Sequence, residues 1–323
     1  MKDFNNKIAV VTGGGTGMGR ELTLQLASEG CHVAICDVSA ENMAETKRLT
    51  TELAPGIRIT TFVADVSNEA HLQAFRDAVI AEQQTDHINL LFNNAGIGGG
   101  GSFLIDERSD WERTFGVCWY GVYHGARTFM PLLVASKEGY IVNTSSVNGF
   151  WASLGPDISH TAYSAAKFAV KGFTEALITD LRLNAPHVKA AVVMPGHIGT
   201  SIAINTSKVL GRPGPMEMPA SDVAAIRQRL LDRGMPVSNV PDEHIRAMMA
   251  QQQVDFRDKA PTTAAQAATV ILDGVRNDRW RILIGDDARA LDERIRSAPE
   301  AAYDVDFLQR MNNDGHLNFV NRT

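Results

Sequence analysis

A short strand that runs straight into a glycine loop limits the fold of this chain more than any other feature. Lys7–Thr12 (Lys-Ile-Ala-Val-Val-Thr) is a β-branched apolar run, the pattern of a strand buried on both faces of a parallel sheet. Thr12-Gly13-Gly14-Gly15-Thr16-Gly17-Met18-Gly19-Arg20 follows, and Glu21–Gly30 then shows helical periodicity up to a closing glycine. Strand, loop and helix N-terminus together form a phosphate cradle. Glycine lets the backbone approach a pyrophosphate, and free N–H groups and the helix dipole favour the anion. The spacing is Thr-Gly-x-x-x-Gly-x-Gly rather than Gly-x-Gly-x-x-Gly.

The next apolar run, His32–Cys36, ends at Asp37. A carboxylate about twenty residues past such a loop hydrogen-bonds an adenosine ribose and repels a 2′-phosphate. Asp37 and Ser39 also precede the helical stretch Glu41–Leu53 and can cap it; the two roles are compatible. Neither Val38 nor Ser39 is a cation, so NAD is expected over NADP. A third strand, Arg58–Val63, leads to Asp65-Val66 and a helix through about Gln84; a fourth, Ile88–Phe92, leads to Asn93-Asn94-Ala95-Gly96. Alternating strands and helices predict an α/β fold with a doubly wound parallel sheet. No repeat, linker or low-complexity segment interrupts residues 1–323, so one domain is expected.

Tyr163-Ser164-Ala165-Ala166-Lys167, with Ser146 upstream, carries the chemistry. Residues four apart share a helix face, which sets a phenol beside an ammonium. An unperturbed Tyr, with a pKa of about 10, is a poor base near neutral pH. A nearby cation favours the phenolate, and such a Tyr can exchange a proton with an alcohol or ketone while a cofactor handles the hydride. In isolation the pair reads more readily as a Tyr packed under a snorkelling Lys, and only the rest of the chain favours the chemical reading.

Composition excludes several alternatives. The net charge is −6 with no basic cluster, which gives nucleic-acid binding no electrostatic support. Three cysteines, Cys31, Cys36 and Cys118, are too few and too irregularly spaced for a disulfide frame or a zinc site, and no metal is expected. The N-terminus lacks an apolar signal core and no apolar run reaches membrane-spanning length. A soluble, cytoplasmic protein acting on a small molecule is expected.

Taken in order, Thr12–Gly19, Asn93–Gly96, Ser146, Tyr163 with Lys167, and Pro195-Gly196-His197-Ile198-Gly199-Thr200 after a strand at Val188–Met194 resemble the short-chain dehydrogenase/reductase family, in its shorter, single-domain branch. The resemblance covers about residues 5–200 and resumes at 262–285. It implies that Gly13, Gly17 and Gly19, with Met18 among them, hold the pyrophosphate, that Asp37 holds the adenosine ribose, and that Asp65 and Val66 flank the adenine. Asn93 to Gly96, including Ala95, would shape the floor under the ribose and stabilise the central strand. Tyr163 would be the acid/base, Lys167 its tuner and a holder of the nicotinamide ribose, and Ser146 a donor to the substrate oxygen. Pro195, Gly196, Ile198 and Thr200 would border the nicotinamide. Thr144 and Ser145 are expected to be structural. The implied reaction is hydride transfer between NAD and a secondary alcohol or ketone, in a homodimer or homotetramer formed through helices around 111–135 and 161–183.

Departures from the family pattern define further expectations. Cys118 stands where the family helix carries an Asn that helps hold a water linking the Lys to solvent; a thiol cannot copy an amide, so backbone carbonyls and water are expected to maintain the relay, with Cys118 a buried, inert thiol. The Ser146-to-Tyr163 connection is lengthened by Phe150–Thr161, which either borders the substrate pocket through Phe150, Trp151 and His160 or is a surface excursion with one aromatic tucked beneath it. Gly98–Gly101 is expected to be a flexible rim. Residues 201–261, with helical stretches at about Ala220–Arg233 and Pro241–Arg257, correspond to a substrate lid; its methionines, Met216, Met218, Met235, Met248 and Met249, suit a bulky apolar substrate, core filling or a subunit contact. Thr262–Arg276 and Trp280–Ile284 complete the sheet, and 286–323 is expected to pack outside or against a neighbouring subunit. Rival readings are a sugar epimerase or dehydratase of the family's longer branch (Thr16 stands where that branch has its middle Gly), an NAD-bound sensor with weakened catalysis, and an interaction protein.

Overall fold

The structure, a computed structural model, describes residues 1–156, 158–232 and 234–313. Its centre is a sheet of seven parallel strands: β1 (Ile8–Thr12), β2 (His32–Asp37), β3 (Ile59–Val63), β4 (Leu90–Asn93), β5 (Gly139–Thr144), β6 (Val188–Pro195) and, after two short strands, β9 (Arg281–Ile284). Their order is β3-β2-β1-β4-β5-β6-β9. The short strands β7 (Ile198–Gly199) and β8 (Thr262–Thr263) pair with each other in parallel.

Strand alternation sends successive side chains to opposite faces, and both faces are apolar here. Val11, Val33, Ile35 and Phe92 join a cluster with Leu22 and Leu26 of α1 (Gly17–Ser28) and Ile271 and Leu272 of α10 (Ala264–Arg276). Val10, Ala34, Leu91 and Ile141 join the opposite cluster. There they meet Phe75 of α3 (Glu69–Gln83), Phe129 of α5 (Gly121–Val134) and Ala166 of α6 (Thr161–Asn184). Strands buried on both sides explain the nearly continuous apolar runs of the sequence. The remaining helices are α2 (Ala40–Leu53), α4 (Arg108–Phe115), α7 (Ile202–Val209), α8 (Ala220–Asp232), α9 (Asp242–Asp258), α11 (Asp286–Ser297) and α12 (Phe307–Asn313). No helix among the described residues is long and apolar enough to cross a membrane.

The chain winds outward from β1 through β2 to β3, then returns to the other side of β1 with β4. This reversal of direction opens a crevice at the carboxyl ends of β1 and β4, where doubly wound sheets bind ligands. Thr12 locks the two loops that border it: its hydroxyl accepts from the backbone N–H groups of Asn94 (3.0 Å) and Ala95 (3.1 Å), and its carbonyl accepts from Asn94 Nδ2 at 3.0 Å.

Three local expectations are corrected. The first helix begins at Gly17, not Glu21, so the end of the glycine loop is its first turn. The helix expected around 111–135 is broken by a π-helical segment, Gly116–Tyr120, between α4 and α5; such insertions re-aim side chains, and this one contains Cys118. The rim Gly98–Gly101 is tethered: Gly98 N donates to Thr206 Oγ1 (2.8 Å), while Gly100 and Gly101 carbonyls accept from Ala162 N and Thr161 N.

The C-terminal segment packs on the chain's own Ser146-to-Tyr163 connection. Ala288 and Leu291 of α11, together with Ala302, Phe307 and Met311, form a separate apolar cluster with Val147 and Trp151. Residues 314–323 of the expected tail, together with Asp157 and Arg233, lie outside the described residues.

Candidate functional site

The crevice begins with the glycine loop. Gly13 (φ +68°) and Gly17 (φ +54°) adopt left-handed backbone that other residues disfavour. A Cβ on Gly13 would lie 2.9 Å from Ala95 Cα, and one on Gly19 would press into the carbonyl of Gly13. The N-cap Thr16 makes no side-chain bond to the helix, so the first N–H groups of α1 remain available to an anion. Thr16 Oγ1 instead accepts from Asn205 Nδ2 of α7 at 3.1 Å.

Asp37 closes the end of β2. Its Oδ2 accepts from Gly15 N and its Oδ1 from Ser39 N, both at 3.0 Å, so the carboxylate also fastens the glycine loop. Ser39 caps α2 by accepting from Asn42 N, so the cap falls on Ser39. Arg20 turns away from any ligand: its guanidinium donates to Gly15 O at 2.6 Å and to Thr46 Oγ1 at 3.0 Å. Asp65 is paired with Arg113 (2.6 Å) and bonded by Ser67; although burial opposes this, the Ser67 bonds and the Arg113 guanidinium hold its carboxyl below the usual range.

Gly13, Gly17, Met18, Asp37, Asp65 and Val66 line this cleft together with Ala95, Gly96 and Thr200. Sequence reasoning missed Arg113, Asn205 and Lys208, which also line it; they come from helices whose approach no local motif announces. Asn93 is not in the cleft. Its Nδ2 donates to Asn143 Oδ1 at 2.8 Å, Asn143 Nδ2 donates to Thr174 Oγ1 at 3.0 Å, and Gly125 crosses close against Asn93 Oδ1. It therefore ties β4 to β5 and belongs to the sheet. Ile198 buries its side chain in the core, Pro195 ends β6, and Gly196 packs against the Asp287 carboxylate.

Ser146, Tyr163 and Lys167 meet beyond Gly96, where an added Cβ would lie 3.5 Å from Lys167 Nζ and 3.9 Å from Cys118 Sγ. The first two turns of α6 carry Tyr163 and Lys167, with Nζ 5.3 Å from the phenol ring centroid. Lys167 is buried and donates to Thr144 O at 2.9 Å; Ser145 Oγ donates to Lys167 O at 2.7 Å. Ser146 Oγ accepts from Asn148 N at 3.1 Å. Cys118 is buried within the cluster and its thiol donates to Ile97 O at 3.1 Å.

The direction of the Tyr163 shift differs from the sequence expectation. Burial raises the phenol's pKa, the adjacent Cys118 adds to this, and the Ser146 hydroxyl acts in the opposite sense. Burial also lowers Lys167, with Cys118 opposing. Among the protein's own groups, desolvation dominates both shifts.

His160 packs on Tyr163 with ring centroids 4.7 Å apart, while Trp151 is the aromatic tucked under the connecting loop. Burial lowers His160 from 6.5 to about 4. A group depressed in the folded state is protonated preferentially when unfolded, so stability falls as pH drops through 6.5 towards 4. Chemical denaturation should show about 1 kcal/mol lost to this group between pH 7.5 and 5.5, a loss that His160→Gln removes. An identical loss in that variant would contradict the assignment.

Comparison with known proteins agrees with this geometry. Residues 7–210 match the family model described as short chain dehydrogenase. SadH of Mycobacterium tuberculosis is 33% identical over 294 residues, covering 90% of this chain and 91% of that one. Levodione reductase of Leifsonia aquatica is 32% identical over 66% of this chain and 77% of its own length. The crystal structure of a short-chain dehydrogenase/reductase from Burkholderia phymatum in complex with NAD superposes with a TM-score of 0.71 at 31% identity, covering 92% of this chain and 96% of that one. The protein belongs to the short-chain dehydrogenase/reductase family and is an oxidoreductase of that family.

Proposed function

We propose that the protein transfers hydride between NAD and a bulky, apolar secondary alcohol or ketone. One observation carries the reading: Tyr163 and Lys167, with Ser146 beside the phenol, lie directly behind Gly96, which itself lines the cleft that holds Asp37. The dinucleotide fits the residues present. The glycine cradle has no room for side chains at Gly13 and Gly19, and the first N–H groups of α1 are uncapped by any side chain. Asp37 supplies a carboxylate for ribose hydroxyls and repels a 2′-phosphate. Arg20, the nearest basic side chain in the loop sequence, is committed to carbonyl and hydroxyl acceptors.

A bound nicotinamide supplies hydride exchange and, when oxidised, a positive ring. The remaining work falls to the chain's own groups. Ser146 donates to the substrate oxygen as charge develops there. Tyr163 takes the hydroxyl proton in oxidation and returns it in reduction. Lys167, anchored on Thr144 O, steadies the phenolate. Cys118 fills the position from which an Asn would act in the relay, leaving water to pass the proton from Lys167, with backbone carbonyls only accepting hydrogen bonds that hold it in place.

The exposed run Phe103-Leu104-Ile105, on the loop whose glycines bond α6 next to Tyr163, supports an apolar substrate. Met216, in the segment expected to cover the substrate, is exposed as well. Exposed Tyr120, Tyr123 and Phe168, from the π-helical segment, α5 and α6, suit the contact of a homodimer or homotetramer. Three free, buried cysteines suit a cytoplasmic setting.

Reduced-nicotinamide absorbance, followed with NAD and NADP in parallel against bulky secondary alcohols, should rise with NAD and far less with NADP. Asp37→Asn should narrow that preference by at least about tenfold, since like-charge repulsion is lost. An unchanged preference would remove Asp37 from cofactor selection. NAD binding without turnover across the panel would favour the sensor reading.

A further inference from the structure

The segment that follows β9 touches both halves of the site. At its start, Asp287 Oδ2 accepts from His197 N at 2.7 Å and Oδ1 accepts from Ala288 N at 2.9 Å. Gly196 and Gly285 leave space for this carboxylate; a Cβ on either would press into it. Asp287 is thus fixed against the turn between β6 and β7 that leads to Thr200. Further along, the same segment holds the loop after Ser146. Trp151 Nε1 donates to Ala302 O at 2.8 Å, Asn148 Nδ2 donates to Trp151 O at 3.0 Å, and Asn148 N donates to Ser146 Oγ. The apolar cluster of Val147, Trp151, Leu291, Phe307 and Met311 joins the two ends.

We propose that Asp287 is a positioning residue for the nicotinamide half of the cofactor: its carboxylate fixes the Gly196–His197 turn, and through it Thr200, on the frame that carries Ser146. The proposal rests on the dinucleotide reading above. Burial raises the Asp287 pKa, against the backbone donors that favour its ionised form, so the carboxylate occupies this place at a desolvation cost that a solvent-exposed helix cap avoids.

The test compares two ligands that differ in the nicotinamide ring. Calorimetry measures NADH and ADP-ribose binding to the full chain as wild type, Asp287→Asn and Asp287→Ala. In Asp287→Ala, NADH affinity should fall roughly tenfold, as expected when buried donors lose a charged acceptor. ADP-ribose affinity should change by less than about twofold, because the glycine cradle and Asp37 are untouched. Asp287→Asn keeps one acceptor oxygen and should fall between; it carries the test alone if Asp287→Ala does not fold. Equal losses for both ligands, or no loss for either, would overturn the proposal while leaving the cofactor reading intact. A wild-type chain that binds neither ligand would overturn the cofactor reading and the proposal with it.

Discussion

Tyr163→Phe is expected to lower turnover roughly 10²–10⁴-fold, the range spanned by loss of a positioned general acid or base. The substitution keeps the ring that packs on His160 and on the core, and removes only the hydroxyl. Binding of NADH should therefore stay close to wild type, and the unfolding midpoint should hardly move. That separation matters, because damage to the fold would lower binding and stability together with turnover. Steady-state turnover beside calorimetric NADH affinity measures both. Turnover retained in Tyr163→Phe would remove the phenol from the reaction. A parallel collapse of NADH binding would show that Tyr163 holds the cofactor rather than moving the proton.

Gly19→Ala has the second largest expected effect, and it falls on stability. The new methyl group would meet the Gly13 carbonyl and lie 2.7 Å from Asn94 Nδ2. Neither neighbour can yield cheaply. Gly13 O is backbone, and Asn94 Nδ2 donates to Thr12 O, one of the bonds that lock the β1 and β4 loops together. Overpacking of this kind costs about 3 kcal/mol, and the displaced cradle should also lose its grip on the dinucleotide. Gly172→Ala supplies the contrast, since Gly172 lies within α6 with nothing within 4 Å of an added Cβ. There the helix gains about 0.5–1 kcal/mol from the removal of glycine's backbone freedom. Urea denaturation of the two variants should move the midpoint in opposite directions. Equal shifts would contradict the contact argument.

Much of this architecture is legible in the sequence because it is written in local patterns. Val10 and Val11 belong to opposite faces of one strand, and a run apolar at every position predicts such a doubly covered strand. The glycine loop is legible for a similar reason, since few residue types tolerate the backbone and the crowding at Gly13. The start of α1 was not legible, because glycines look like loop even where they form the first helical turn. The π-helical segment at Gly116–Tyr120 was hidden for another reason: one inserted residue leaves helical periodicity nearly intact on both sides.

Side-chain destinations were the least legible. Asn93 sits in a motif that suggests ligand contact, yet its amide pairs with Asn143 across two strands; only tertiary structure brings that partner near. The Gly98–Gly101 rim reads as flexible by composition, but its carbonyls and amides are bonded to α6 and α7. Asp287 falls in the segment expected to pack outside or against a neighbouring subunit, and nothing local indicates that Gly196 lies against it. The Tyr163–Lys167 pair shows the same limit in electrostatics. Spacing gives proximity, but the sign of the shift depends on burial, which spacing does not report.

The central claim is that hydride passes between a substrate carbon and a nicotinamide while Tyr163 moves the proton. It is tested most directly with a secondary alcohol from the active panel deuterated at its carbinol carbon. Mass spectrometry of the reduced cofactor should find that deuterium on the nicotinamide, with turnover slowed by the isotope and lowered roughly 10²–10⁴-fold in Tyr163→Phe. Deuterium released to water, or product formed without labelled reduced cofactor, would contradict the account.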